Sequence, residues 1–286
     1  MRKDAYKLKG TDPMYTVGAH IMARRIDAMN MTTINIPQAP LHEYLNQKRK
    51  EGFRTSHLAL IIAAYLRTVA EFPELNRFVV NKRLYARNEL AVGMVVLKAG
   101  SATHGTMSKC YFDIHDTIFD VNEKITKYIE DNQSNESENS TDELITKLLR
   151  IPGLLRVGVP VLKWMDKHGW LPKSIIDASP FHMSLGITNL ASIKTNHILH
   201  HCYDFGTTSI FLAIGNMREV PKRVGSEIVF ERCLPIGVTM DERICSGAYF
   251  AIAFRKFRKI LEHPEILEQP PETVVPDPNA VIKKKK

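Results

Sequence analysis

The chain has 286 residues, of which 44% are hydrophobic and 24% charged, a composition that indicates a globular protein with a large core. Its four cysteines are scattered without a CxxC pair, which argues against a disulfide scaffold or a structural zinc site and favours a reducing cytoplasm. The net charge of +8 includes the terminal lysines 283–286, for which a solvated tail is favoured over a contact with nucleic acid or an anionic membrane.

The first half of the chain predicts mixed helices and strands. Residues 1–17 lack the apolar stretch of a secretory signal and are expected to be irregular. Asn81 and Lys82 suit a tight turn between two strands, and Pro73 ends a strongly apolar helix. The pattern predicts helices over residues 20–29, 41–50, 56–71 and 119–131, and strands over residues 31–36, 78–80, 83–85 and 90–97.

Two segments in the middle of the chain are unusual. Residues 132–143 are polar and of low complexity, and we interpret them as an insertion within one domain. Residues 142–170 are amphipathic and interrupted by Pro152 and Pro160. A membrane-associated hairpin is one interpretation of this stretch. Charged residues break its apolar run, so packing against the domain or capping a pocket is favoured.

The second half adds strands over residues 182–190, 208–216 and 227–240, the last expected to run through the middle of a sheet. An amphipathic helix follows Gly247 and ends at Pro264. Residues 268–286 are rich in proline and lysine and are expected to be disordered. Strands interleaved with helices predict an α/β domain, a two-layer sandwich with helices on a sheet.

A family resemblance rests on four segments in the right order. Residues 238–247 read VTMDERICSG and resemble the end of the catalytic domain of dihydrolipoyl acyltransferases, the core subunits of 2-oxo-acid dehydrogenase complexes. Those proteins carry DHRxxDG there, or HHxxxDG as in the related chloramphenicol acetyltransferase. FPELN at 72–76, LGITNL at 185–190 and TSIFLAIG at 208–215 also resemble family segments. The resemblance covers residues 18–267.

The resemblance implies a mixed sheet in the coenzyme A-dependent acyltransferase fold, with chloramphenicol acetyltransferase as its relative. It also implies a homotrimer or higher oligomer with the active site between subunits. In the family, the motif histidine removes a proton from a thiol that attacks a thioester. A hydroxyl before the "NLG" turn donates to the oxyanion. Here Thr188, followed by Asn189, matches that position, and Ser184 is the fallback on the same strand. The alternative is that Thr188 is an ordinary strand residue with its hydroxyl satisfied locally.

The catalytic motif itself is altered. Asp241 and Arg243 are retained, but Glu242 stands in place of the histidine and Ser246 in place of the aspartate before glycine. In the family that aspartate pairs with an N-terminal arginine, so Arg24 or its neighbour Arg25 is expected to lose its partner. A free glutamate has a pKa of about 4.3 and a thiol about 8.5, so this proton transfer costs about 5–6 kcal/mol. Glu242 is therefore a poor base unless burial raises its pKa.

Residues other than Glu242 also carry side chains that catalysis or metal binding could use. Residues 200–206, HHCYDFG, look like the family motif with the aspartate one residue early, and a polar loop is the favoured interpretation. Cys245 is interpreted as a small buried thiol rather than a nucleophile. His104, His115 and Asp116 lack metal-ligand spacing, so no metal is assigned.

Two functions follow. The first is acyl transfer from a small-molecule thioester of coenzyme A type, with altered chemistry and no covalently bound cofactor. The alternative is an inactive oligomeric scaffold or binding protein that retains the fold. No lipoyl domain is evident, so an ordinary dehydrogenase-complex core is not expected. A nucleic-acid or membrane partner, based on the basic tail and the 255–259 helix face, is the weakest hypothesis because no interleaved aromatic residues accompany the charge.

Overall fold

A computed structural model describes residues 2–98, 105–133, 146, 150 and 153–281. The strands are β1 (Ala5–Lys7), β2 (Met29–Pro37), β3 (Arg77–Val80), β4 (Arg83–Arg87), β5 (Leu90–Leu97), β6 (Gly105–Phe112), β7 (Leu185–Asn189), β8 (Ile210–Ile214), β9 (Arg218–Val224) and β10 (Glu227–Asp241). The α-helices are α1 (Pro13–Ile21), α2 (Gln38–Lys50), α3 (His57–Glu71), α4 (Ile118–Gln133), α5 (Leu154–His168), α6 (Lys173–Ala178) and α7 (Gly247–Glu262).

The main sheet has the strand order β2-β10-β8-β7-β5-β6, and β9 pairs with the first half of β10. The pairs β5–β7 and β7–β8 are parallel and the others are antiparallel, so the sheet is mixed, as expected. A smaller sheet has the order β1-β4-β3. The strand β10 is interior to the sheet, between β2 and β8, but it lies next to the edge strand β2 rather than at the centre.

The two faces of the main sheet differ in chemistry because side chains alternate along each strand. One face is apolar, with Ile236, Leu212 and Ile187 packed in a core with α2, α3, α4 and α7. The helix α3 is suited to this position because eleven of its residues are buried. The opposite face carries small and polar residues, including Gly237, Ala213 and Thr188 in register. We call this opposite side the polar face of the sheet.

The N-terminal segment corrects the expectation that residues 1–17 are irregular. Residues 5–7 form β1 against β4, and α1 begins at Pro13 with the Asp12 side chain accepting a hydrogen bond from Met14 N at 2.8 Å. The helix expected over residues 20–29 is instead the end of α1 followed by a 3-10 turn over Arg25–Ala28. Capping by Asp12 and proline at the first helical position place the helix earlier than its apolar periodicity indicated.

The C-terminal segment corrects a second expectation. Residues 268–281 are not disordered: Val275 N donates to Ala70 O at 2.8 Å, and Asp277 accepts two hydrogen bonds from the buried Arg77 at 2.6 and 2.8 Å. Leu8 and Ala280 form an isolated antiparallel bridge. These contacts hold the segment on the domain, whereas the terminal lysines 283–286 lie outside the described residues.

The middle of the chain was predicted in part. Most of the polar insertion at 132–143 lies outside the described residues. After it, α5 continues through Pro160 instead of breaking there. Its polar side lines a cleft through Lys163, Asp166 and Lys167, and the buried Asp166 pairs with Arg2, although none of its apolar residues is fully buried. The expectation that this stretch packs against the domain or caps a pocket is thus met through its polar side.

Candidate functional site

The Thr188 hydroxyl lies on the polar face of the sheet and is paired with a histidine. Its Oγ1 is 2.9 Å from Nε2 of His200. The His200 ring also contacts the Phe211 ring, with 4.9 Å between centroids. Thr188 is in register with Ala213 on β8. The structure thus brings a hydroxyl and an imidazole together on the polar face of the sheet.

A chain segment, residues 196–200, brings His200 to this position by crossing the polar face. Its close approach depends on two glycines: a Cβ at Gly237 would lie 2.5 Å from Ile198 O, and one at Gly215 would lie 2.2 Å from His197 N. The other end of the crossing is held by Nε2 of His197, 3.0 Å from Thr33 Oγ1. Glycine lets the two backbones approach within a distance that any side chain would prevent.

This packing gives a prediction for Gly237. Replacing it with alanine should displace the 196–200 segment, because the clash is with a backbone carbonyl that cannot rotate away. We expect a stability loss of about 1–3 kcal/mol in urea unfolding. His200 should also move from Thr188, seen as a change in the His200 imidazole chemical shifts. Gly52→Ala serves as a control, since a Cβ there meets nothing within 4 Å, although its φ of +88° will itself cost some stability.

His200 is suited to accept a proton at neutral pH. Burial lowers the pKa of its imidazole, and the charge of the adjacent His201 lowers the pKa further. The ring is therefore neutral near pH 7 and has one nitrogen with a free lone pair. With the proton on Nε2 the ring donates to Thr188, which leaves the threonine O–H free to donate to a bound group.

The altered motif begins with a buried ion cluster. Asp241 is fully buried and pairs with Arg243 at 2.7 Å and with Arg25 at 3.4 Å. Arg25 also donates to the backbone oxygens of Val79, Gly206 and Tyr203. The structure therefore gives Arg25 a different carboxylate, that of Asp241, five residues before Ser246.

Arg24 is placed elsewhere. Its guanidinium is exposed and pairs with Asp27 at 3.0 Å, on the turn that precedes β2. The side chains of neighbouring residues in an extended segment point in opposite directions, which separates Arg24 from Arg25. Of the two arginines considered, Arg25 is the one that supports the motif.

The remaining motif residues have local partners. Glu242 is half-buried and accepts a hydrogen bond from Asn30 Nδ2 at 2.7 Å. Ser246 caps α7 by accepting from Tyr249 N at 3.2 Å. Cys245 is fully buried, and burial raises the pKa of its thiol, as expected of an inert core cysteine. Ser184, the fallback donor, is occupied by backbone groups of Glu89 and Ala91.

Glu242 and Thr188 do not meet within one chain. Thr188 is in register with Gly237 through Ala213, and Glu242 lies five residues after Gly237, just past the end of β10. At roughly 3.3 Å per residue and 4.8 Å per strand, the two Cα atoms are about 19 Å apart. The two predicted catalytic residues could act together only if they came from different copies of the chain.

A basic cleft of about 360 Å³ lies beside the motif. Its cationic lining residues are Arg24, Arg25, Lys82, Lys163, Lys167 and Arg243, and its acidic ones are Asp166 and Asp204. Both acids are engaged: Asp166 with Arg2 at 2.8 Å, and Asp204 with Arg25 N at 2.7 Å. The exposed ammonium groups of Lys82, Lys163 and Lys167 make the cleft suitable for an anion. Nothing in the sequence pattern indicated this convergence.

No protein-family model matches this chain, and no curated protein matches it in sequence. Its fold is nevertheless that of acyltransferase catalytic cores. A probable dihydrolipoamide acetyltransferase from Listeria monocytogenes superposes with a TM-score of 0.57 at 11% identity, over 90% of this chain and 93% of that one. The cubic core of the pyruvate dehydrogenase multienzyme complex gives 0.56 at 12%, over 89% and 90%. Chloramphenicol acetyltransferase gives 0.54 at 10%, over 90% and 99%.

Proposed function

We propose that this protein transfers an acyl group from a thioester of coenzyme A type, with His200 and Thr188 at the reacting centre. The observation that supports this proposal is the 2.9 Å contact between His200 Nε2 and Thr188 Oγ1 on the polar face of the sheet. An imidazole and a hydroxyl are the two groups that acyl transfer needs, one to accept a proton and one to stabilise an oxyanion.

Acyl transfer then proceeds in two steps, attack on the thioester and collapse of the tetrahedral intermediate. The acceptor, a thiol, amine or alcohol, loses its proton to the neutral His200 imidazole as it attacks the thioester carbonyl. The negative charge that develops on the carbonyl oxygen is stabilised by the Thr188 O–H. The tetrahedral intermediate then collapses, the C–S bond breaks, and the imidazolium returns its proton to the departing thiolate.

The basic cleft supports an anionic donor. Coenzyme A carries phosphates at one end and its thioester at the other, so the two ends need not bind at the same place. The exposed lysines of the cleft would bind the phosphates by charge-assisted hydrogen bonds, while Arg25 and Arg243 beneath them are paired with Asp241.

In this proposal Glu242 can act with Thr188 only across a contact between two copies of the chain. We propose a trimer or larger oligomer, in which Glu242 of one copy can approach Thr188 of another. The hairpin of β9 and the first half of β10 supports this, because most of its residues are exposed and, among the described residues, 227–232 of β10 pair with β9 alone. Two-stranded hairpins are marginally stable alone in water and are stabilised by packing.

The test of the proposal is thiol release from a panel of acyl-coenzyme A esters with thiol, amine and alcohol acceptors. Thr188→Val keeps the shape of the side chain but removes the hydroxyl. We expect kcat to fall roughly 10²–10³-fold with little change in KM, as for loss of one oxyanion donor. Thr126→Val, on the exposed side of α4, makes the same chemical change away from the sheet and should leave kcat unchanged.

Two results would contradict the proposal. Absence of thiol release from every ester would favour the alternative of an inactive scaffold. Equal rates for the wild type and Thr188→Val would show that any activity arises at a different site.

A further inference from the structure

The helix α5 is attached to the domain by charge rather than by apolar packing. Among its residues, all of which the structure describes, Asp166 alone is buried. The Asp166 carboxylate lies 2.8 Å from Arg2 and 3.3 Å from His182, and Arg2 also donates to the Asp166 carbonyl oxygen at 2.9 Å. Although burial disfavours the ionised carboxyl, these two partners hold the pKa of Asp166 below its usual value. The rest of the helix is free to present its other side outward.

That outward side is apolar and aromatic. Val157 is 66% exposed, Val161 47%, Trp164 50%, and Trp170 just beyond the helix 60%. The two indole rings meet edge to face, with 5.0 Å between centroids. We call these four residues the α5 ridge. Uncovered apolar residues grouped in this way indicate a binding surface rather than scattered exposure.

A row of positive charge runs beside the ridge. Arg156, Lys163 and Lys167 are spaced by seven and four residues, so they lie along one side of the helix, and all three are exposed. A helix with Trp and aliphatic residues on one side and Lys or Arg on the adjacent side is typical of helices that lie in the headgroup region of a membrane. Tryptophan favours that region because its ring is apolar and its N–H is polar.

Charge also distinguishes between the surfaces that could cover the ridge. A two-fold contact between antiparallel copies of the helix would place the same basic row beside itself, and the chain as a whole carries +8. An anionic lipid surface attracts each basic residue near it. Among the described residues no helix is both long and apolar enough to cross a bilayer, so the contact would be peripheral.

We propose that the α5 ridge and its basic row dock in the headgroup region of an anionic phospholipid membrane. Trp164 and Trp170 enter the boundary between headgroups and acyl chains, while Arg156, Lys163 and Lys167 contact lipid phosphates. The proposal does not depend on the acyl-transfer function.

The sequence makes the experiment specific, because its only two tryptophans are in the ridge. The intact protein is titrated with vesicles of phosphatidylcholine, with or without phosphatidylglycerol, and tryptophan emission is recorded. We expect a blue shift with the anionic vesicles alone, reversed by added salt. Arg156→Gln should weaken the partition constant roughly fivefold, and Val157→Ser roughly tenfold. Ile252→Ser, on α7 and 49% exposed in the wild type, is the matched control and should have no effect.

Three outcomes would overturn the proposal. The first is no shift with anionic vesicles at low salt. The second is a blue shift that follows protein concentration without lipid and is lost in Val157→Ser, which would identify a second copy as the occupant. The third is an equal shift with polyglutamate in place of vesicles, which would indicate an acidic protein partner.

Discussion

Replacing His200 with glutamine is expected to lower kcat for acyl transfer roughly 10²–10⁴-fold, the usual contribution of a general base. Glutamine retains a hydrogen-bonding group toward Thr188 but cannot accept a proton at neutral pH. The steady-state rate of thiol release with the best ester of the panel measures the effect. His201→Gln is the matched control, because the adjacent His201 is exposed and contacts Tyr203 rather than Thr188.

The pH dependence of kcat/KM is a second test of the His200 imidazole as the proton acceptor. Because burial lowers the pKa of His200, its basic form is present above that pKa and is lost as the pH falls through it. The acid limb of kcat/KM should therefore have an apparent pKa below 6.5, and His200→Gln should abolish that limb. If Glu242→Gln removed the activity and His200→Gln did not, the proton acceptor would be the carboxylate of a neighbouring copy.

Replacing Asp241 with asparagine should destabilise the protein by about 3–5 kcal/mol, as found when one partner of a buried ion pair is removed. Asp241 is fully buried between Arg25 and Arg243, whose side chains are themselves only 3% and 4% exposed. The asparagine would leave two buried guanidinium groups without a negative charge. Urea unfolding followed by far-ultraviolet circular dichroism measures the loss, which should appear as a lower midpoint with an unchanged m-value.

The control for Asp241 is Asp27→Asn. Asp27 pairs with the exposed Arg24, so solvent already screens that interaction, and the midpoint should change little. Equal losses in the two variants would show that the Asp241 cluster is not the interaction that holds the motif loop to the 3-10 turn before β2.

The sequence predicted most of the fold because its strongest patterns come from burial. The helix α3 and the strand β10 have long apolar or β-branched runs, and their bounds agree with the prediction within about one residue. The strand β6 was missed because Gly105–Phe112 mixes polar and apolar residues. The path of α5 through Pro160 was also missed, because a proline inside an apolar run usually marks a break.

The candidate site was predicted less completely, for geometric reasons. Thr188 was identified by its place in the order of segments, but its partner His200 is twelve residues away and reaches it only by crossing the sheet. The signal that could have revealed this crossing is the pair Gly215 and Gly237, two glycines in adjacent buried strands. The choice of Arg25 over Arg24 depends on which side of an extended segment faces inward, and spacing alone does not determine it.

The contact between the two ends of the described chain has a consequence for engineering. Lys9 N donates to Asn279 O at 2.9 Å, and Val281 N donates to Lys7 O at 3.0 Å, so the segment around the first strand and the last described residues run side by side. A short peptide linker could therefore join them without crossing the domain. Circular permutation, with new ends opened in an exposed turn such as Gly225 between β9 and β10, would preserve every pairing of the main sheet except the turn itself.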